Sequence, residues 1–365
     1  MSSLRRIGLA VAAPVLAFVL AGLVTTAILL ASGNPATAFW EVILSWPASR
    51  NLVNILNTAS VLYLAGLAAA IGFRMNLFNI GVEGQYRVAT FAAAVFAAQS
   101  WLPGYLNTFA TVVVAMAAGA VWAGIAGLLR VTRGVSEVIS TIMLNAIAIA
   151  LVAYLLQQVG SVQGQTRVTG DIQESSRVAS IPILPDAVNQ FYGLGLLAVL
   201  AGIAYAVVIN RTRFGFDLRA TGASQTVAVA SGVNVKRMVV TTMLLSGAIA
   251  GLIGMPTLFG LSYNYGSTIQ VGVGFTGIAV ALLGRNNAWG IAVGAVVFAF
   301  LTEQGTRLNV VARVSADIVE VMQGVVVLSV VIVYEVVRRY RIRMEQQDVA
   351  RRLAASRPTV REVPA

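Results

Sequence analysis

Long apolar runs that recur along almost the whole sequence constrain this fold more than any other feature. A helix needs about 20 mostly apolar residues to cross a bilayer, because each residue adds about 1.5 Å to its length. The sequence therefore predicts an all-α polytopic membrane protein with about ten transmembrane helices. The predicted spans are residues 7–31, 52–73, 84–99, 107–129, 137–158, 191–210, 238–261, 270–284, 287–305 and 317–337.

Charge composition supports a membrane location and argues against nucleic acid as a partner. Only 11% of the residues are charged, against about 25% in soluble domains. The formal net charge is +11, but the basic residues cluster at the ends of apolar runs. That distribution is typical of chains anchored in membrane lipid.

The sequence contains no cysteine and no histidine. Disulfides, cysteine–histidine zinc sites and Ser-His-Asp triads are therefore excluded. We expect neither a metal site nor a catalytic centre in this chain.

The basic residues also predict the orientation of the chain. If ten spans alternate from a cytoplasmic N-terminus, most of these residues fall on the cytoplasmic side, as the positive-inside rule requires. We predict a transmembrane domain over residues 1–337, with both termini inside, and a basic cytoplasmic tail over 338–365. The residues concerned are Arg5, Arg6, Arg74, Arg87, Arg130, Arg133, Arg211, Arg213, Arg219, Lys236, Arg237, Arg285, Arg338, Arg339, Arg341 and Arg343.

The longest irregular segment, the predicted outer loop 159–190, divides the spans into two halves, 7–158 and 191–337. Five spans in each half mean that the halves enter the membrane in opposite directions, so we predict a 5+5 inverted repeat. In each half a short, glycine-interrupted segment follows the second span, at 78–85 and at 271–284. Paired interrupted segments of this kind point to a substrate site near the bilayer midplane.

The stretch 75–87, MNLFNIGVEGQYR, concentrates polar residues between two apolar runs. Glycines within it weaken a continuous helix, and broken backbone at membrane depth is tolerated where it lines a cavity or is buried in protein. We predict a broken helix on a substrate path, formed by Phe78, Asn79, Glu83 and Gln85. An ordinary cytoplasmic turn between two spans is the alternative.

The fifth predicted span supplies a second polar face. Glu137, Thr141 and Asn145 are four residues apart and therefore lie near one face of a helix. Asn145 is about two turns into the apolar region, so we predict that it faces the break and that Thr141 and Asn145 belong to the path. Glu137 either joins them or compensates the dipole of the helix N-terminus.

The predicted cytoplasmic loop 211–237 carries a short amphipathic pattern between Arg219 and Gly232. The pattern predicts one helix that ends in glycine and presents a narrow stripe of small residues, with Arg219 placed to pair with acidic groups of a partner. We interpret it as a docking element for another protein; a helix lying on lipid is the alternative. The predicted docking residues are Arg219, Ala220, Gly222, Ala223, Val227, Ala230 and Gly232.

Five motifs in this order resemble the permeases of ABC importers for nucleosides and simple sugars, a group that includes the branched-chain amino acid and ribose permeases. They are FNIGVEGQ at 78–85, EVISTIMLN at 137–145, RATGASQTVAVASGV at 219–233, SGAIAGLIG at 246–254 and GFTGIAVALLG at 274–284. Together they cover nearly the whole chain.

The resemblance implies a complex in the cell membrane of a prokaryote, in which this multi-pass chain is not itself an enzyme. The implied partners are a paralogous second permease subunit, cytoplasmic ABC ATPase subunits and an extracellular solute-binding protein or lipoprotein. ATP and magnesium are expected on the ATPase, and no GxxxxGK[ST] motif occurs here. The resemblance also implies that the helix around residues 222–231 is the coupling helix.

The alternative function is an ion-coupled secondary transporter of a small polar solute. Such transporters also use inverted repeats and broken helices, and Glu83 could serve there as the coupling carboxylate. Dependence of uptake on a separate ATPase distinguishes the two.

Overall fold

A computed structural model describes residues 3–311, 314–315 and 317–355. The described chain is mainly helical, with one short antiparallel hairpin of β1 (Ser161–Gln163) and β2 (Thr166–Val168). The helices are α1 (Ser3–Ala31), α2 (Ala36–Leu44), α3 (Ser49–Arg74), α4 (Val82–Gln99), α5 (Gly104–Arg133), α6 (Glu137–Val159), α7 (Leu196–Arg211), α8 (Arg213–Ala223), α9 (Gln225–Ala230), α10 (Val235–Leu252), α11 (Met255–Thr257), α12 (Val273–Leu283), α13 (Ala288–Val311) and α14 (Asp317–Ala355).

Each predicted span overlaps at least one helix, and the seventh takes in both α10 and α11. The prediction of a helical polytopic membrane protein is confirmed. Among the described residues, seven helical segments are long and apolar enough to cross a membrane. Three predicted spans fall outside that set: the first in α1, the third in α4 and the eighth in α12. The count of about ten spans and the inverted repeat therefore remain predictions.

Contacts divide the chain into two units. One combines the residues up to Val42 with those from Leu308 onward; in it α1 packs against α14, and Trp40 Nε1 donates to Thr26 Oγ1 at 3.0 Å. Helix α14 continues past the predicted tenth span into the predicted tail as far as Ala355. Residues 356–365 of that tail lie outside the described residues.

The second unit, Ile43–Arg307, is built around α3 and α10. The apolar part of α3 is 83% buried, whereas that of α6 is only 28% buried, so α3 is central and α6 presents an apolar face outward. Small residues allow α10 to approach α5 closely, as is typical of membrane helices. A Cβ at Gly247 would lie 2.2 Å from the carbonyl oxygen of Gly119.

The second unit has two distinguishable ends. At the arginine end, Arg74 Nε donates to the carbonyl of Asn286 at 2.8 Å, and Arg130 pairs with Glu137. At the loop end, the segments 100–107, 160–192 and 262–270 meet: Asn107 Nδ2 donates to Ser176 Oγ at 3.4 Å, and the amide of Ile172 donates to the carbonyl of Tyr263 at 2.8 Å. Segments predicted to be cytoplasmic thus gather at the arginine end, and those predicted to be external gather at the loop end.

Candidate functional site

The chain breaks between α3 and α4, over Met75–Gly81, a segment we call the break. Helix α3 ends because Asn76 adopts a left-handed conformation with φ 59°, which asparagine tolerates better than most residues. The backbone then turns back, and the amide of Leu77 donates to the carbonyl of Gly72 at 3.0 Å. A Cβ at Gly72 would lie 2.8 Å from the Leu77 oxygen, so glycine permits this close return.

The break runs alongside α6 from the arginine end toward the middle of the second unit. The amide of Phe78 donates to Glu137 Oε1 at 3.5 Å, near the arginine end. Further along, Asn145 Nδ2 donates to the carbonyl of Ile80 at 2.8 Å, and its Oδ1 accepts from the amide of Gly84 at 2.8 Å. Glu137 and Asn145 are eight residues apart, which is about 12 Å along a helix. Helix α4 therefore begins well inside the unit, which favours the broken helix over an ordinary cytoplasmic turn between two spans.

Glu83 joins the start of α4 to the start of α12. Its Oε1 accepts from the backbone amide of Gly272 at 3.0 Å, and its Oε2 from that of Gly274 at 2.9 Å. Arg87 Nε, one turn along α4, donates to Oε1 at 2.7 Å. The side chain is 1% exposed, and a buried carboxylate requires such compensation. The α12 dipole, positive at its N-terminus, favours the same negative charge.

Glu83 thereby holds two helices that run in opposite directions from one point. Helix α4 leads toward the loop end, where Asn107 Nδ2 donates to the carbonyl of Ala97 at 3.0 Å. Helix α12 leads toward the arginine end, since the Asn286 carbonyl that follows it is bound by Arg74. A Cβ at Gly274 would lie 2.3 Å from the Glu83 amide nitrogen, so glycine permits their close contact.

Asn79 and Gln85 form a buried amide pair. Asn79 Nδ2 donates to Gln85 Oε1 at 3.0 Å, and Gln85 Nε2 donates to Asn79 Oδ1 at 2.9 Å. Asn79 Oδ1 also accepts from the amide of Gly81, and Asn79 Nδ2 donates to Ser246 Oγ of α10 at 2.8 Å. Ser246 in turn donates to the carbonyl of Ala68 in α3 at 2.6 Å. The amide pair thus fixes the break against α3 and α10.

The structure therefore brings the predicted path residues together. Asn79, Glu83, Gln85, Thr141 and Asn145 are all buried, and each has a hydrogen-bond partner within the chain. Thr141 Oγ1 donates to the carbonyl of Glu137 at 2.7 Å.

Phe78 differs from the other predicted path residues because it is 48% exposed. Its ring packs against that of Phe73, with centroids 5.3 Å apart. It thus presents an aromatic surface at the arginine end of the break.

A polar cavity of about 300 Å³ lies on the loop-end side of the break. That volume is at the lower limit of ligand pockets. The sequence interpretation missed this cavity, because its walls come from segments far apart in the chain. The lining residues are Asn54, Asn57, Thr58, Val61, Asn189, Tyr192, Thr257, Leu261, Thr268, Gln270 and Glu303.

The predicted docking helix between Arg219 and Gly232 is corrected by the structure. Two helices, α8 and α9, replace it, because Ser224 is extended (φ −161°) and its Oγ accepts from the amide of Val227 at 3.4 Å as the cap of α9. Serine favours such capping positions over helix interiors. Gly232, with φ 82°, follows α9 as predicted.

The predicted docking residues divide between inward contacts and an exposed surface. The Arg219 guanidinium donates to the carbonyl of Ile209 at the end of α7, and its pairing with a partner's acidic group stays a prediction. Ala220 is half-buried, whereas Ala223, Val227 and Ala230 are exposed.

Gly222 of α8 packs directly on the start of the break. A Cβ at this position would lie 2.7 Å from the carbonyl oxygen of Arg74 and 2.9 Å from the Cα of Met75. Both neighbours are backbone atoms, which cannot move aside as a flexible side chain can. Helix α8 and the break therefore pack backbone against backbone, with no space for a larger side chain at this position.

Comparison with known proteins gives consistent similarities. Residues 51–331 match the family described as branched-chain amino acid transport system, permease component. The guanosine ABC transporter permease protein NupP of Bacillus subtilis (strain 168) is 36% identical over 277 residues, covering 75% of this chain and 78% of NupP. The glucose ABC transporter permease protein TsgB13 of Haloferax volcanii is 34% identical over 349 residues, covering 92% and 90% of the two chains. The nucleoside ABC transporter permease protein NupB of Lactococcus lactis subsp. cremoris (strain MG1363) is 31% identical over 326 residues, covering 84% and 88%.

Proposed function

Because the chain belongs to the family of branched-chain amino acid transport system permease components, we propose that it forms the translocation path of an ABC importer for nucleosides. It is a multi-pass membrane protein and the permease subunit of an ABC importer for nucleosides or sugars. Permeases of this kind work with an ATPase and a solute-binding protein. The energy of transport therefore comes from a partner rather than from this chain.

The preference for nucleosides follows from the relatives and from the chemistry of the break. Two of the three relatives described above carry guanosine or nucleoside in their names, and one carries glucose. The polar side chains at the break are mainly amides and hydroxyls, which exchange hydrogen bonds with uncharged solutes. The Glu83 carboxylate is compensated by Arg87 and by backbone amides, and the Glu137 carboxylate is paired with Arg130. A site of this kind suits neutral solutes better than ions.

The break is the proposed centre of the translocation path. Asn79, Glu83, Gln85 and Asn145 hold its backbone in position through hydrogen bonds within the chain. In this proposal they determine the shape of the path, Thr141 supports the same wall, and the exposed ring of Phe78 meets the solute.

The inverted repeat belongs to the same proposal. Opposite directions of α4 and α12 from the Glu83 carboxylate support it, because inverted-repeat transporters place paired half-helices at their substrate site. The gathering of arginines such as Arg74 and Arg130 at one end supports a cytoplasmic position for that end.

We further propose that α8 and α9 receive the motion of the ATPase. Their exposed surface carries Ala223, Val227 and Ala230, small enough to seat in a groove of a partner. The contact of Gly222 with Arg74 and Met75 leads from this surface to the break. Movement of the ATPase would therefore shift the start of the break directly.

The proposed assembly lies in the plasma membrane of a prokaryote. It contains this chain, a paralogous second permease subunit, two ATPase subunits that bind ATP and magnesium, and an external binding protein or lipoprotein. The ion-coupled alternative is not favoured, because the relatives described are ABC transporter components.

Uptake by the reconstituted importer tests the proposal. Proteoliposomes with the permease subunits and the ATPase receive labelled guanosine and the binding protein on one side and ATP on the other. We expect guanosine uptake with ATP and none with an ATPase variant unable to hydrolyse it. Uptake driven by an ion gradient in the absence of the ATPase would contradict the proposal.

A further inference from the structure

We propose that the cavity is a reception site for a vicinal diol of the solute, and that the Glu303 carboxylate accepts the hydrogen bonds of that diol. The inference rests on the proposed function, since ribonucleosides and simple sugars share this chemical group. It adds a binding site and a specificity residue outside the break.

A relay of amides orients Glu303. Asn189 Nδ2 donates to Asn54 Oδ1 at 2.6 Å, and Asn54 Nδ2 donates to Glu303 Oε1 at 3.1 Å. The three residues come from the loop-end segment 160–192, from α3 and from α13, and all three line the cavity. The relay occupies one carboxylate oxygen and fixes the direction of the other.

Glu303 is a half-buried carboxylate whose charge is not compensated by an arginine or lysine ion pair within the described part of the chain. An ionised carboxylate only accepts hydrogen bonds, and two donors on adjacent atoms can engage it together. A vicinal diol offers two adjacent hydroxyl donors without introducing charge. Charge-assisted hydrogen bonds are about twice as strong as neutral ones.

The rest of the lining suits the remainder of such a solute. Thr58, Thr268 and Gln270 supply neutral polar groups, while Tyr192 and Leu261 supply apolar surface for a base or for the C–H face of a sugar. Asn57 holds this wall in place, because its Nδ2 donates to the carbonyl of Gln190 and its Oδ1 accepts from the amide of Tyr192.

The cavity also adjoins the break. Tyr86 of α4 donates its hydroxyl to the carbonyl of Gln270 at 3.2 Å. Gln270 lies two residues before Gly272, whose amide binds Glu83. A solute held at Glu303 would therefore lie above the point where α4 and α12 meet, on the side from which an imported solute arrives.

The absence of natural cysteines allows a direct test. In the intact importer complex without its binding protein, Thr58→Cys is labelled with a fluorescent thiol reagent, and labelling of this chain is measured on a gel. Guanosine at ten times its Kd should slow labelling about tenfold, because the free fraction falls with [L]/Kd. Guanosine should not affect Ser175→Cys, the control at an exposed position outside the cavity.

Three solutes identify the recognised group. Guanosine and 2′,3′-dideoxyguanosine differ only in the two ribose hydroxyls, and glucose carries vicinal diols without a base. Protection by guanosine but not by the dideoxy compound is the expected result, and glucose shows whether the diol alone suffices. Equal protection by guanosine and the dideoxy compound overturns the diol site. Failure of both guanosine and glucose to protect Thr58→Cys also overturns it.

Glu303→Gln tests the residue itself. Glutamine keeps the size of the side chain and an acceptor for Asn54, so the relay is retained. Loss of the charge-assisted hydrogen bonds should raise the Kd for guanosine about tenfold or more, with unchanged labelling of Ser175→Cys. An unchanged Kd overturns the role of Glu303. ATP-driven guanosine uptake by the parent complex is measured in parallel. If uptake is normal, a failed labelling or Kd test contradicts the cavity site alone. If ATP-driven uptake is absent, the proposed function is contradicted.

Discussion

The amide pair of Asn79 and Gln85 gives the sharpest test of what holds the break in place. Asn79→Ala removes the partners of both polar atoms of the Gln85 side chain and also the acceptor of the Gly81 amide. Three buried polar groups then lack a partner. Gln85→Ala removes less, because Asn79 still donates to Ser246 and still accepts from Gly81.

The magnitudes follow from these counts. Each buried polar group left without a partner costs about 1–3 kcal/mol. Asn79→Ala should therefore lower the free energy of unfolding by at least about 3 kcal/mol. The double variant Asn79→Ala/Gln85→Ala leaves only the Gly81 amide without a partner, so it should cost about 1–3 kcal/mol. Adding the second substitution should thus restore stability that the first one removed.

The assay is the temperature at which half of the detergent-solubilised permease loses its monodisperse peak in size-exclusion chromatography. We expect Asn79→Ala to have the lowest midpoint, and the double variant to lie above it. A double variant whose loss equals the sum of the two single losses would show that the side chains act independently, and the reasoning would be wrong. Ser246→Ala serves as the control, since it leaves the reciprocal amide contacts in place.

Three further predictions concern the arginine end and the orientation. Gly222→Leu should abolish most ATP-driven uptake, since an added side chain overlaps the backbone of the break and overpacking costs about 1–3 kcal/mol. Gly324→Ala, where a Cβ meets nothing within 4 Å, should leave uptake unchanged, and equal uptake by both variants would contradict the coupling contact. Ala223→Trp should weaken ATPase binding about tenfold or more on purification, whereas Ala223→Gly should retain it; full retention by the tryptophan variant would mean that this surface faces lipid. Cysteines at the exposed residues Ser175 and Ser231 should label from opposite sides of the membrane with an impermeant reagent, and labelling of both from outside would exclude the predicted orientation.

The sequence predicted the features that depend on local composition. Apolar runs predicted the helices, and Gly81 and Gly84 among polar residues predicted a break. The spacing of Asn145 from Glu137 predicted a polar side chain facing that break, because helix geometry alone sets that depth. These inferences needed no knowledge of which helices are neighbours.

Features that depend on tertiary packing could not be predicted in the same way. The contact of Glu83 with Gly272 and Gly274 joins residues almost two hundred positions apart in the chain. The relay to Glu303 likewise joins three distant segments. Ser224 is different: its capping ability is a local signal, but the surrounding stripe of small residues favoured one continuous helix.

The depth at which α4 begins has an electrical consequence. Only about 12 Å of packed protein separates the start of α4 from the arginine end, compared with about 30 Å for the hydrocarbon core of a bilayer. The polar cavity on the other side has room for about ten waters, so water entering it would concentrate the membrane potential across this thin layer. The electrostatic free energy of a charged solute would change by about 2.3 kcal/mol per elementary charge per 100 mV as it crosses this layer. The electrostatic free energy of an uncharged nucleoside does not change in this way, and Glu83 with Arg87 forms a neutral pair. Accumulation of an uncharged solute by this permease should therefore not depend on the membrane potential.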